Sequence, residues 1–188
     1  STTGAMSGYQ YQVVVTGTCP SPITSSAVAL TVNTLPAITS QPSAVTVCAG
    51  TDATFTVAAT GTGLMYQWQE NTGSGFVNIP GATSASYTKS PTTSSMNGYQ
   101  YQVIVSGTCT PPATSSAVLL TVNTAPAITT QPVAQTVCEG QNATFSVVAS
   151  GTALTYQWQE NTGSGFVNIV GANSASYTKM STTLAMSG

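Results

Sequence analysis

Four cysteines, Cys19, Cys48, Cys109 and Cys138, are the most reactive side chains in this 188-residue sequence. Cys109 follows Cys19 by 90 positions, and Cys138 follows Cys48 by the same interval. Two thiols per interval suit disulfides formed in an oxidising, exported setting. They do not suit zinc, which takes three or four ligands, because there is no His to add to them. The acids are Asp52, Glu70, Glu139 and Glu160. Glu70 and Glu160 are equivalent, whereas Asn142 and Ala49 stand opposite Asp52 and Glu139. No recurring pair of acids divides general-acid and general-base roles. Without His, triad chemistry lacks its usual base, and the acids are too few for a calcium cage. The inventory predicts a non-enzyme with no catalytic residue, no metal site and no cofactor.

The charge count narrows the partners. Lys89 and Lys179 are the only cations, and there is no Arg. That excludes a basic nucleic-acid footprint and a polybasic membrane patch. Thr (34) and Ser (23) make up about 30% of the residues, so solubility rests on hydroxyls and amides. The apolar fraction of 41% is enough for a packed core. Unbroken apolar runs such as 27–30 and 117–120 are far short of the roughly 20 residues of a membrane span.

The 90-residue interval is a repeat. Residues 66–79, YQWQENTGSGFVNI, return unchanged at 156–169. Residues 36–98 and 126–188 share 45 of 63 positions, and 1–35 and 91–125 share 24 of 35. Joints fall at the prolines of Asn33-Thr34-Leu35-Pro36 and Asn123-Thr124-Ala125-Pro126. The reading is the tail of one repeat (1–35), a complete repeat (36–124) and the front of a third (125–188). With no initiator Met and no signal-like opening, two expectations stand. One is a window on a longer polypeptide; the other is a subunit whose partial domains complete each other between neighbours.

Period-2 alternation, with β-branched and aromatic residues between Gly, Pro, Asn and Ser clusters, predicts strands throughout. In the complete repeat they fall at 43–48, 53–60, 64–70, 76–79, 86–89, 99–105 and 116–123. Short strands with one polar face predict an all-β, two-layer antiparallel sandwich per repeat.

These residues resemble the immunoglobulin-like fold. Phe55-x-Val57-x-Ala59, then Trp68, then Asn97-Gly98-Tyr99-Gln100-Tyr101 follow its strand B, C and F order. The resemblance implies that Trp68 and its equivalent Trp158 are core tryptophans and that Tyr99 is the tyrosine-corner residue. It also implies that Val57 and Tyr101 stand where antibody domains place their disulfide. More narrowly, residues 136–140, 143–145, 154–159, 79–83 and 105–109 resemble tandem repeats of giant secreted and cell-surface, adhesin-type proteins of Bacteroidota. Such repeats mostly serve as spacers, which implies an extracellular or cell-surface stalk or filament. Its partners would be neighbouring repeats or further copies, and possible glycans.

In that fold Cys48, before strand B, and Cys109, beyond strand F, fall at opposite poles. At about 3.3 Å per residue they lie on the order of 25 Å apart, against the roughly 7 Å between Cα atoms that a disulfide allows. The expectation is a bridge to the F–G cysteine of the following repeat, 151 positions on. An intradomain bridge and free thiols stay open. A ligand reading also stays open: Phe76, Tyr87 and loop 71–75 form a candidate sugar-stacking surface, although the loop glycines are equally explained by a turn that needs φ > 0. A further alternative is a polymer in which 125–188 takes up the strands of 1–35 from the next chain.

Overall fold

The computed structural model describes residues 3–19, 21–183 and 185. They are all-β, with short 3-10 turns at Gly4–Met6 and Ser94–Met96. The chain divides into two compact units, Ser1–Val122 and Asn123–Gly188.

In the first unit, β1 (Gln10–Tyr11), β2 (Val14–Val15), β3 (Ile23–Thr24) and β4 (Val28–Ala29) form one antiparallel hairpin. The complete repeat follows as β5 (Ala37–Ser40), β6 (Val45–Cys48), β7 (Ala53–Thr56), β8 (Ala58–Thr60) and β9 (Met65–Asn71). It continues with β10 (Phe76–Asn78), β11 (Ser86–Lys89), β12 (Gln100–Ser106), β13 (Ala113–Thr114) and β14 (Val118–Asn123). One layer pairs β5 with β8 and β7 with β11; the other runs β10-β9-β12-β14-β6, with β13 also on β12. Strands β5 and β13 add to those read from the sequence. Pro42 has no N–H for a ladder, and around it the chain leaves the β8 layer (β5) and joins the β14 layer (β6). The run 53–60 is interrupted at Val57, whose N–H donates to the Ala85 carbonyl at 3.0 Å.

The core lies between the layers. Phe55, Trp68, Tyr101, Val103, Val105 and Leu120 are essentially inaccessible. On β12 the buried residues alternate with half-buried Gln102 and Ile104, the period-2 pattern of a strand with one inner face. Full burial of such side chains contributes roughly 1.5–3 kcal/mol each. At the antibody disulfide position the ring that meets Tyr101 is Phe55, at 4.5 Å between centroids. Val57 is a core residue one step further along the same face. Phe55 is also the β7 residue in register with Tyr87, the other ring packed on Tyr101. Tyr99 packs half-buried against the core. Its hydroxyl makes no hydrogen bond among the described residues, so the corner is set by backbone: Tyr99 N–H to Met96 O at 3.1 Å, and Leu120 N–H to Tyr99 O at 2.8 Å.

The second unit contains β15 (Ala127–Thr130), β16 (Ala143–Ser146), β17 (Val148–Ser150), β18 (Gln159–Asn161), β19 (Phe166–Asn168) and β20 (Ser176–Lys179). The ladders of its first layer repeat those of the complete repeat: β15 with β17 and β16 with β20. Among the described residues it has no counterpart of β12 or β14. The consequence is visible in identical sequence: β9 has seven residues and β18 has three. Residues 135–138, equivalent to β6, are not a strand. A strand extends where a neighbour accepts its backbone groups and stops where none does. For the same reason Trp158, expected in a core, is half-buried, while Trp68 is inaccessible.

Candidate functional site

Three polar side chains tie the two layers together. Glu70 Oε1 on β9 accepts from Lys89 Nζ on β11 at 2.9 Å and from Tyr101 Oη on β12 at 2.5 Å. Burial, then the hydrogen bond to Glu70, push the Tyr101 hydroxyl far above its usual range. Burial also raises Tyr87. For Lys89 burial works downward, but the Glu70 hydrogen bond and charge outweigh it and the ammonium is held above its ordinary value. The equivalent pair, Lys179 Nζ to Glu160 Oε1 at 2.8 Å, recurs in the second unit. Both lysines and both matched acids are therefore engaged in structural ion pairs. Among the described residues no three His, Cys, Asp or Glu converge as a metal site would require.

A second constellation sits where the chain passes into each repeat. Thr34 N–H donates to Thr62 Oγ1 at 3.0 Å, and Thr62 N–H donates back to Thr34 O at 3.2 Å. The two hydroxyls are 3.2 Å apart. The same clasp recurs at Thr124 and Thr152, with distances of 2.9, 3.0 and 3.3 Å. Each clasp needs a glycine beside it. Gly61 has φ +148°, and a Cβ there would lie 3.0 Å from both Leu35 O and Pro36 Cα; Gly151 repeats this against Ala125 and Pro126. Sequence reasoning placed the joints at these prolines but missed the clasp. Its signal was the recurrence of Asn-Thr-x-Pro together with Gly-Thr, 28 residues from threonine to threonine.

The cysteines lie on two poles. Cys48 ends β6, where its carbonyl accepts from Thr51 N–H at 3.1 Å and Thr51 Oγ1 at 2.7 Å. Gly50 N–H reaches Thr92 O at 2.7 Å, so this pole includes the loop ahead of β12. Cys109 follows β12 at the other pole, next to Thr108, whose N–H donates to Thr62 O at 2.8 Å. Cys138 repeats the setting of Cys48, with Gln141 N–H on its carbonyl at 3.1 Å, and Cys19 is exposed beyond β2. All four thiols are unpaired within the chain. The candidate ligand residues are not brought together. Phe76 lies on β10 beside β9, whereas Tyr87 lies in the other layer, its ring turned in toward Trp68 and Tyr101 at 6.3 and 5.8 Å.

The class this geometry defines is the tandem immunoglobulin-like β-sandwich, and solved structures agree. The chain is similar to the I-band fragment I67-I69 from titin, with a TM-score of 0.63 and 16% identity, covering 82% of this chain and 58% of that one. It is also similar to extracellular domains 3-5 of Drosophila OTK, with a TM-score of 0.52 and 16% identity, over 97% of this chain and 64% of that one. Sidekick-1 immunoglobulin domains 1-5 give 0.52 at 21% identity, over 84% and 36%. Identities this low speak for the fold alone. A family described as a domain of unknown function, DUF8696, matches residues 37–124. Among curated proteins, Endoglucanase C of Cellulomonas fimi is 33% identical over 137 residues, covering 71% of this chain and 12% of that protein. The fold and its neighbours show a chain of tandem immunoglobulin-like domains. No helix among the described residues is long and apolar enough to cross a membrane.

Proposed function

We propose that this chain is a structural segment of an exported surface protein, in which serial repeats form a stalk or extracellular filament. The observation that carries the reading is the clasp, built identically at Thr34–Thr62 and Thr124–Thr152. A joint whose threonine is held by three polar contacts to the following sandwich has few free torsions. A short Pro-containing connection restricts them further. Such joints suit a part whose work is to hold a distal element away from a surface.

The unpaired thiols fit the same reading. Each A–B cysteine, such as Cys48, would join the F–G cysteine of the following repeat, 151 positions on. Two thiols lose two protons and two electrons to a disulfide oxidant of the exported compartment, which is reduced to its dithiol, and one S–S bond forms.

Antibody raised against residues 36–124 and applied to intact, unpermeabilised cells of the source organism tests the reading. Labelling along projecting fibres is expected. Labelling that appears only after permeabilisation would overturn it.

A further inference from the structure

We propose that the outer face of the β10-β9-β12 sheet is a binding surface for a neutral polysaccharide. This goes beyond the stalk reading and does not depend on export, since it rests on residues 69–102, which lie inside the complete repeat.

Trp68 and Glu70 point into the core, so strand alternation turns Gln69 and Asn71 outward. The register places Phe76 beside Asn71 and Asn78 beside Gln69 on one flank, and Gln100 beside Asn71 and Gln102 beside Gln69 on the other. Two rows therefore cross three strands: Phe76-Asn71-Gln100 and Asn78-Gln69-Gln102. Neighbours within a row are about 4.8 Å apart, and the rows about 7 Å apart. The amides are bonded to one another. Gln102 Nε2 donates to Gln69 Oε1 at 2.7 Å, Gln69 Nε2 to Asn78 Oδ1 at 2.8 Å, and Asn71 Nδ2 to Gln100 Oε1 at 3.4 Å. Asn71 is also held by its hairpin, since its Oδ1 accepts from Gly73 N–H at 2.8 Å and Gly75 N–H at 3.0 Å. A primary amide has two N–H donors and a carbonyl with two lone pairs. These bonds use only part of that capacity, so they orient the amides and leave further donors and acceptors toward solvent. A surface ordered in advance spends little of its binding energy on ordering.

The chemistry of the face selects the occupant. Among the described residues of this repeat no charge lies on it: Glu70 is bonded inward to Lys89 and Tyr101, and Asp52 is bonded to Ser90. It offers uncharged donors and acceptors in rows, with the half-buried ring of Phe76 at the end of one row. Sugar hydroxyls both donate and accept, and the C–H faces of a pyranose rest on an aromatic ring. A flat face meets each sugar on one side only, which suits a polymer that lies across several strands. Core packing does not account for these residues. All 18 differences between 36–98 and 126–188 fall outside 66–79. On the other layer the exposed residues Thr56, Ala58 and Thr60 become Ser146, Val148 and Ser150, whereas Gln69, Phe76 and Asn78 return as Gln159, Phe166 and Asn168. The amide bond returns with them, Gln159 Nε2 to Asn168 Oδ1 at 2.9 Å. One such face per repeat gives a polymer several points of attachment, and avidity without any new contact.

Native electrophoresis of the full 188-residue chain through gels containing galactomannan, xyloglucan or acidic polygalacturonate tests this. Retardation by at least one neutral polymer, and not by the acidic one, is expected. Gln69→Ala combined with Gln102→Ala removes the amide chain and should weaken retardation at least about tenfold; Phe76→Ala should weaken it as well. The two glutamines lie on the solvent side, so the melting midpoint of their variant should stay close to wild type. Thr54→Ala with Thr88→Ala, on the other layer, should bind like wild type. Free passage through both neutral polymers, equal retardation by polygalacturonate, or a glutamine variant retarded like wild type would each overturn the proposal. So would self-association that the glutamine variant abolishes in a chain no polymer retards, since the face would then bind a second copy.

Discussion

Glu70 satisfies two donors from two strands with one carboxylate oxygen, and this makes it the most consequential polar residue in the complete repeat. Glu70→Ala leaves the Tyr101 hydroxyl and the Lys89 ammonium without their partner and should cost about 2–3 kcal/mol in urea unfolding. Tyr101→Phe removes one donor and leaves the ion pair in place, and should cost about 1 kcal/mol. Equal losses in the two variants would show that the carboxylate acts through the tyrosine alone. The pH response follows from the same cluster of Glu70, Lys89, Tyr87, Tyr99 and Tyr101. Lys89, Tyr87 and Tyr101 all have folded-state values raised above the unfolded ones. A raised group favours the folded state while it is protonated. Its contribution is complete below the unfolded value, about 10 for these side chains, and is lost as pH rises through the folded value. Thermal melting should therefore hold steady on approach to about pH 9 and fall above about pH 10. A fall that begins near neutrality would contradict the assignment.

Residues 66–79 and 156–169 form an internal control at the level of elements, because one sequence occupies two settings. Amide exchange read by NMR should show the 65–71 ladder protected throughout and, within 155–161, protection confined to Trp158 and 159–161. Equal protection of the two segments would contradict the structure. Trp68→Ala should cost about 3–5 kcal/mol, and Trp158→Ala clearly less, because its ring is only half-buried. The strands with one inner face were legible as alternation: 86–89 coincides with β11, and 64–70 and 99–105 differ from β9 and β12 by one residue at each end. What stayed hidden depends on partners distant in sequence. β5 is four residues of mixed exposure that become a strand through β8, and β6 is a strand only where β14 lies beside it. The stacking of Phe55 on Tyr101 was equally illegible, since alternation marks both as inward but not as neighbours. The clasp threonines were visible as a recurrence, but nothing local marks them as facing each other.

Across the whole molecule, six charges leave little for proteases or salt to act upon. Both tryptic sites lie at strand ends and in ion pairs, Lys89 with side-chain exposure of 22% and Lys179 of 26%. Limited trypsin digestion should therefore cut slowly after both, since cleavage needs local opening. Rapid cleavage at either lysine would show that the strand ends and ion pairs do not restrain it. The exported-stalk reading makes its sharpest claim at the joints, where covalent bridges would reinforce the threonine clasps. The most direct measurement is peptide mapping, without reductant, of the protein purified from its source. The prediction is Cys48 recovered in disulfide linkage to the F–G cysteine of the following repeat. Recovery of Cys48 linked to Cys109, or of all four cysteines as free thiols, would contradict it.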